Sequence, residues 1–179
     1  MPEIQRISVA ALSVAVILFG LSLPIQAQQR YPIESQSEWY TSKYTKQHII
    51  EASDIAGHQI RIFELHRVSN EKTRMAFSGT KVRESWVWGY SDSISGAGKN
   101  WGYGTWTLED GNRINFEYAG TSQSQPAENG ASVGTYHGTA RITGGTGKFK
   151  GVRGTLVDLV EFNTDPAGGY NRASSKGEY

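Results

Sequence analysis

The sequence predicts an all-β domain, an eight-stranded antiparallel β-barrel, and three observations predict it. Apolar and polar residues alternate with a period of two in a series of short runs. Glycine or Asn/Asp clusters separate those runs. Beyond residue 27 no stretch carries the helical period. Closure of eight strands leaves an interior that is filled by side chains or holds one small ligand.

The 179-residue chain opens with an appendage. Arg6 precedes an uncharged apolar run, Ile7 to Leu23, which Pro24 breaks before Ala27. A charged start, an apolar stretch and a small-residue exit make a secretory signal peptide, residues 1–27. The rival is an uncleaved anchor, because the run reaches the lower edge of a bilayer-spanning helix. Export to a secreted or periplasmic location is expected, with no membrane span after cleavage.

Residues 28–47, QQRYPIESQSEWYTSKYTKQ, read as a polar, irregular arm. The barrel domain is expected over 48–179. Its strands are expected at His48–Ser53, His58–Val68, Thr80–Tyr90, Asn100–Leu108, Arg113–Thr121, Val133–Thr143, Gly151–Phe162 and Ala173–Tyr179. Asp110-Gly111-Asn112 is a hairpin signal. Ser122–Ser132, SQSQPAENGAS, reads as a polar loop.

Composition narrows the function classes. Lys+Arg number 18 against 17 Asp+Glu, and no basic patch stands out, so nucleic acid is not an expected partner. The chain has no cysteine, which removes disulfides, thiolate nucleophiles and zinc–thiolate sites. The histidines (His48, His58, His66 and His137) lack the helical spacing of a zincin. No resident metal or cofactor is expected; the rival is a metal held across strands by Glu64, His66 and His137.

The stretch ITGGTGKFKG, Ile142–Gly151, invites a phosphate-loop reading. That loop needs a glycine where Ile142 stands and a Ser or Thr where Phe149 stands, and a helix must follow. The stretch is therefore a turn, with Phe149 available to plug one end of the barrel.

Two strands carry the candidate site. On His58–Val68, Ile60, Ile62, Glu64 and His66 share one face, and Arg61, Phe63, Leu65 and Arg67 share the other. With the first face inward, Glu64 becomes a buried carboxylate with a raised pKa. Phe63 and Leu65 then lie outside, where a subunit contact would cover them. Trp86 and Trp88 line one face of the next strand, and Trp101 and Tyr103 one face of the strand after it. Core packing is the commoner role of such rings, and contact with a ligand is the alternative.

ITGGTGKFKGVRG resembles the GGTG-x-F-x-G-x-x-G segment of the allene oxide cyclase and dirigent barrel proteins. Ile62-Phe63-Glu64-Leu65-His66 is similar to the V-Y-E-I-N of the cyclases' first long strand. The resemblance implies a calycin-type eight-stranded barrel with a hydrophobic cavity, commonly trimeric. It implies that Glu64 assists epoxide opening and that His66, standing where the cyclases have asparagine, acts as donor. The cyclases' Ser-Pro and cavity cysteine have no counterpart here.

The expectation is an exported barrel that binds a small hydrophobic or aromatic molecule in its cavity and guides its cyclisation or isomerisation. Glu64 and His66 would be the catalytic pair, with Ile60, Ile62, Trp86, Trp88, Trp101 and Tyr103 against the ligand. A homo-oligomer, dimer or trimer, is expected. A non-catalytic carrier or structural barrel is the alternative, and carbohydrate binding through exposed aromatic rings is a third reading.

Overall fold

The computed structural model describes residues 29–127, 131–165 and 169–179. The expected signal peptide lies outside them. The strands are β1 (Pro32–Glu51), β2 (His58–Ser69), β3 (Ala76–Phe77), β4 (Thr80–Ile94), β5 (Ala97–Leu108), β6 (Arg113–Pro126), β7 (Ser132–Gly145), β8 (Gly154–Asn163) and β9 (Tyr170–Glu178). The order β2-β1-β9-β8-β7-β6-β5-β4 returns to β2 through a β2–β4 pairing. Every pairing is antiparallel, so eight strands close a barrel, and β3 forms a two-residue hairpin with the start of β4.

The first strand departs from the sequence reading. Pro32–Gln47 was expected as an irregular arm, yet Pro32–Glu38 pairs with β9 and Trp39–Glu51 pairs with β2. Two register shifts, at Trp39/Thr41 and Tyr44/Lys46, interrupt the alternation that would have marked this strand. β4 and β5 also run longer than expected and meet at Ser95-Gly96. Both turn residues have positive φ, 49° and 82°, as a two-residue primed turn requires. The Asp110-Gly111-Asn112 turn forms as expected: Asp110 Oδ1 accepts from the Asn112 N–H at 3.0 Å.

The glycine stretch closes one end of the barrel. Gly147–Phe149 makes a single 3₁₀ turn with Gly147 at φ 53°. A Cβ on Gly147 would lie 2.1 Å from Asn112 Oδ1, so the site requires glycine twice over. Phe149 is buried and meets Phe77 edge to face. Lys148 Nζ is engaged by Asp110 at 3.0 Å and Thr80 Oγ1 at 2.7 Å.

Around this plug the interior is apolar. Phe77, Val82, Leu108, Ile114, Ile142 and Leu156 are fully buried, each contributing about 1.5–3 kcal/mol through desolvation. Towards the other end the inward positions change character. They become Ser91 and Ser93 on β4, Gly102 and Gly104 on β5, Gly120 and Ser122 on β6, and Gly134 and Gly138 on β7. The barrel is thus filled by aliphatic and aromatic groups at one end and lined by small residues at the other.

Candidate functional site

The face carrying Glu64 and His66 turns outward. Phe63 and Leu65 are 8% and 5% exposed, whereas Ile60 and Ile62 are 38% and 51% exposed. This reverses the expectation that Phe63 and Leu65 would form an outer contact surface. The period of two was right, but the side was not. Trp88, Trp101 and Tyr103 also point outward, at 43%, 41% and 59% exposure. Trp86 shares their side of β4.

The expected site residues nonetheless come together, on the outer wall of β2, β4 and β5. Cross-strand register places Glu64 beside Trp88 and Trp88 beside Tyr103. The next row sets Ile62 beside Tyr90 and Tyr90 beside Trp101, with the last two rings stacked 5.8 Å apart. Ile62, Glu64, Trp88, Tyr90 and Tyr103 border a concavity of about 370 Å³. A second concavity of about 600 Å³ adjoins it at Glu64 and Trp88 and is bordered by Arg83, Glu84, Trp86 and Arg113. Ile60 extends the apolar wall beside Asp92.

Glu64 is not the buried acid that the sequence suggested. Its carboxylate accepts from Thr45 Oγ1 at 2.7 Å and from Trp88 Nε1 at 2.9 Å, with Lys46 Nζ at 3.5 Å. The Thr45 hydrogen bond, then that of Trp88, hold its pKa below the ordinary value. An acid held ionised in this way is a poor proton donor. His66 stacks on Trp86 at 4.2 Å and sits 3.1 Å from Glu84 Oε2. Glu64 and His66 thus have separate partners. Among the described residues no group of His, Asp and Glu could hold a metal, so Glu64, His66 and His137 do not converge.

A second set of polar groups lies inside the barrel, and sequence reading missed it. Arg67 and Arg61 reach inward from β2, Tyr118 from β6, Tyr136 from β7 and Asp158 from β8. Register confirms the side: Arg67 pairs with buried Ser85, Arg61 with buried Ser91, and Asp158 with buried Ser175. Tyr118 Oη, Tyr136 Oη, Arg67 Nε, Arg61 Nε and Asp158 Oδ1 are buried without a hydrogen-bond partner among the described residues. Such orphaned groups are uncommon, and each bears the cost of desolvation.

Desolvation dominates the titration of this set. Burial raises the Tyr118 and Tyr136 phenols well above their ordinary value, so both remain donors. It raises Asp158 towards its neutral form and lowers Arg67. Arg67, Tyr118, Tyr136 and Asp158 nevertheless keep partial accessible surface.

The glycines explain how the rings are accommodated. A Cβ on Gly89 would fall 2.0 Å from Tyr118 Oη, and one on Gly138 would fall 2.0 Å from Tyr136 Oη. Gly104 would meet Phe116 Cζ at 2.2 Å. Each ring lies against the bare backbone of a neighbouring glycine. The sequence carries this signal at Tyr136-His137-Gly138, where tyrosine and glycine share the inward face, whereas the glycine under Tyr118 lies on another strand.

No protein-family model matches the chain, and no curated protein matches it. Among solved structures the chain is similar to that of a pterocarpan synthase dirigent protein. The identity is 14% over 94% of this chain and 96% of that one, with a TM-score of 0.44.

Proposed function

We propose that this protein is an exported barrel that binds a small hydrophobic or aromatic molecule inside its barrel. The observation that supports the reading is the set of buried, unpartnered polar atoms on Tyr118, Tyr136, Arg67 and Asp158. Apolar walls with a few convergent polar groups are the usual make-up of a small-molecule site. The aromatic and aliphatic residues below, Trp106, Phe116, Phe63 and Leu65, would take the apolar part of the ligand. The two phenols, closed off against Gly89 and Gly138, would turn towards it to donate to its oxygens. If the bound molecule cyclises or isomerises, the barrel acts by holding its conformation, with Tyr118 and Tyr136 as donors in place of Glu64 and His66.

The test is the double variant Tyr118→Phe/Tyr136→Phe. Removing two unsatisfied hydroxyls leaves stability equal or higher. Native mass spectrometry of the wild-type protein should show a co-purifying small molecule, and the double variant should lose it. A wild-type protein that carries no ligand, and whose melting temperature no aromatic compound in a panel shifts, would refute the reading. Export is checked by the mass of the secreted chain, expected to begin at Gln28.

Carbohydrate binding is a second reading, and it rests on the outer wall. Trp88, Trp101 and Tyr103 present exposed rings beside Glu64, Glu84, Arg83 and Arg113. A sugar would lay its C–H faces on the rings and its hydroxyls on the charged groups. Pull-down on cellulose and chitin, lost in Trp88→Ala, checks it; retention on neither polymer removes it.

A further inference from the structure

The outer wall of β2, β4 and β5 holds an unusual amount of apolar surface in water. Ile60, Ile62, Trp88, Tyr90, Trp101 and Tyr103 are each between 38% and 59% exposed. Register joins them into one face: Ile62, Tyr90 and Trp101 form one row, Trp88 and Tyr103 the next. β1 adds Ile50 beside Ile60, half exposed as well. A large ring carries about 150–250 Å², so one that is half exposed presents about 100 Å². The seven side chains together present on the order of 700 Å². The largest apolar patch of an ordinary monomer is about 300–600 Å², and a standard protein–protein interface takes about 800 Å² from each partner. The face therefore has the area that a stable interface needs.

Its charges are already engaged within the chain. Thr45, Trp88 and Lys46 hold Glu64, His58 holds Asp92 at 2.8 Å, and Arg141 holds Glu117 beside Tyr103. Covering carboxylates that keep their partners leaves no unpaired charge behind. Such a face selects an apolar partner rather than a charged one, and Trp and Tyr are the residues enriched in interface cores. Its relief suits a copy of itself. Tyr103, the most exposed of these rings, stands at the edge of the 370 Å³ concavity that Ile62, Trp88 and Tyr90 border. A projecting ring beside a hollow lets two identical faces fill one another reciprocally.

We propose that this wall is the contact surface between two copies of the chain, a two-fold dimer centred on the Ile62–Tyr90–Trp101 row. The symmetry follows from the number of faces. A closed ring of three or more copies needs two different complementary faces on each subunit, whereas a two-fold dimer uses one face twice. Among the described residues, β6 to β9 expose Val133, Val157 and Leu159 as their large apolar side chains. Val157 is flanked by Thr139 and Lys176, and Leu159 by His137 and Ser174, so no second face of comparable size is built there.

The experiment is sedimentation equilibrium of the chain from Gln28 onward, which contains every strand of the barrel. At about 10 µM, within the range of interfaces of this area, the mass should be twice that of one chain. Dilution to the monomer should red-shift tryptophan emission as Trp88 and Trp101 return to water. Ile62→Lys and Trp101→Glu, both at exposed positions, should each raise the dimer dissociation constant at least about thirtyfold, as loss of a central anchor does. Val157→Lys, on the opposite wall, should leave it unchanged. A wild-type monomer at about 100 µM overturns the proposal and leaves the wall to the carbohydrate reading, since rings covered by a second copy cannot also hold a sugar. A trimer overturns the two-fold contact, and a dimer indifferent to both Ile62→Lys and Trp101→Glu places the interface elsewhere. The wild-type mass needs no variant, so a misfolded mutant cannot obscure the result.

Discussion

Gly104→Ala tests the way in which the interior is assembled. Gly104 sits on β5 opposite Phe116 on β6, and the Phe116 ring lies across it and stacks on Trp106 at 3.9 Å. A methyl at Gly104 would come within 2.2, 2.7 and 2.8 Å of three Phe116 ring carbons. Carbon atoms settle at about 3.5–4.0 Å, so the ring must retreat by more than about 1 Å. Trp106 occupies the other side of the ring, and a close-packed interior offers little room for that shift. Overpacking of this kind costs about 1–3 kcal/mol, and the lower entropy of the unfolded alanine chain returns only about 0.5–1 kcal/mol. With the ring held on both faces, a net loss of about 2 kcal/mol is expected. For a domain of this size that lowers the melting temperature by about 4–8 °C. Urea unfolding of Gly104→Ala, Phe116→Ala and the double variant isolates the cause. In the Phe116→Ala background the same methyl should cost about nothing, a coupling of about 2 kcal/mol. An equal cost in both backgrounds would refute the packing argument.

Two other perturbations report on the surface. His58 bridges Asp54 at 2.7 Å and Asp92 at 2.8 Å, and hydrogen bonding to Asp54, then to Asp92, raises its pKa above 6.5. A raised histidine contributes stability that is complete below the unfolded pKa and is lost as pH rises through the folded one. The melting-temperature difference between wild type and His58→Asn should therefore shrink from pH 6 to pH 8, and a constant difference would contradict the bridge. Glu64→Leu, on the outer wall, should alter Trp88 fluorescence through the lost Nε1 hydrogen bond yet leave interior ligand binding unchanged. Loss of interior binding in that variant would put Glu64 on the wrong side of the wall.

Most of the fold was legible in the sequence because strand alternation and turn chemistry are local. Asp110-Gly111-Asn112 and the GGTGKF turn behave as their residue types demand, down to Phe149 plugging the barrel end. What failed depended on distant partners. β1 looks irregular on its own, since its extended state is held by β9 at one end and by β2 at the other. Ser95-Gly96 was hidden in SISGAG, where several small residues could each have made the turn. A serine at positive φ is tolerated there because the long β4 and β5 ladders dictate the backbone.

The inversion of the site has a different origin. Hydrophobicity is the usual guide to the inward face, and it favours Trp86, Trp88 and Tyr90 over Ser85, Gly89 and Ser91. The barrel obeys volume instead. Rings carried by β2 and β6 already occupy the lumen, so β4 and β5 between them must present small inward side chains where those rings lie. Phe63 and Tyr118 both reach Gly89, and either ring would collide with a Cβ there. Once Gly89 must face in, the period of two drives Trp88 and Tyr90 out, and cross-strand register then carries Glu64 and Ile62 out with them. One glycine under two rings thus fixes the side of the whole wall. That choice also separates the two chemistries. The acid with local partners, Glu64, stays ionised at the surface, while Arg67, Tyr118, Tyr136 and Asp158 lie inside, each with one buried polar atom that no described residue satisfies.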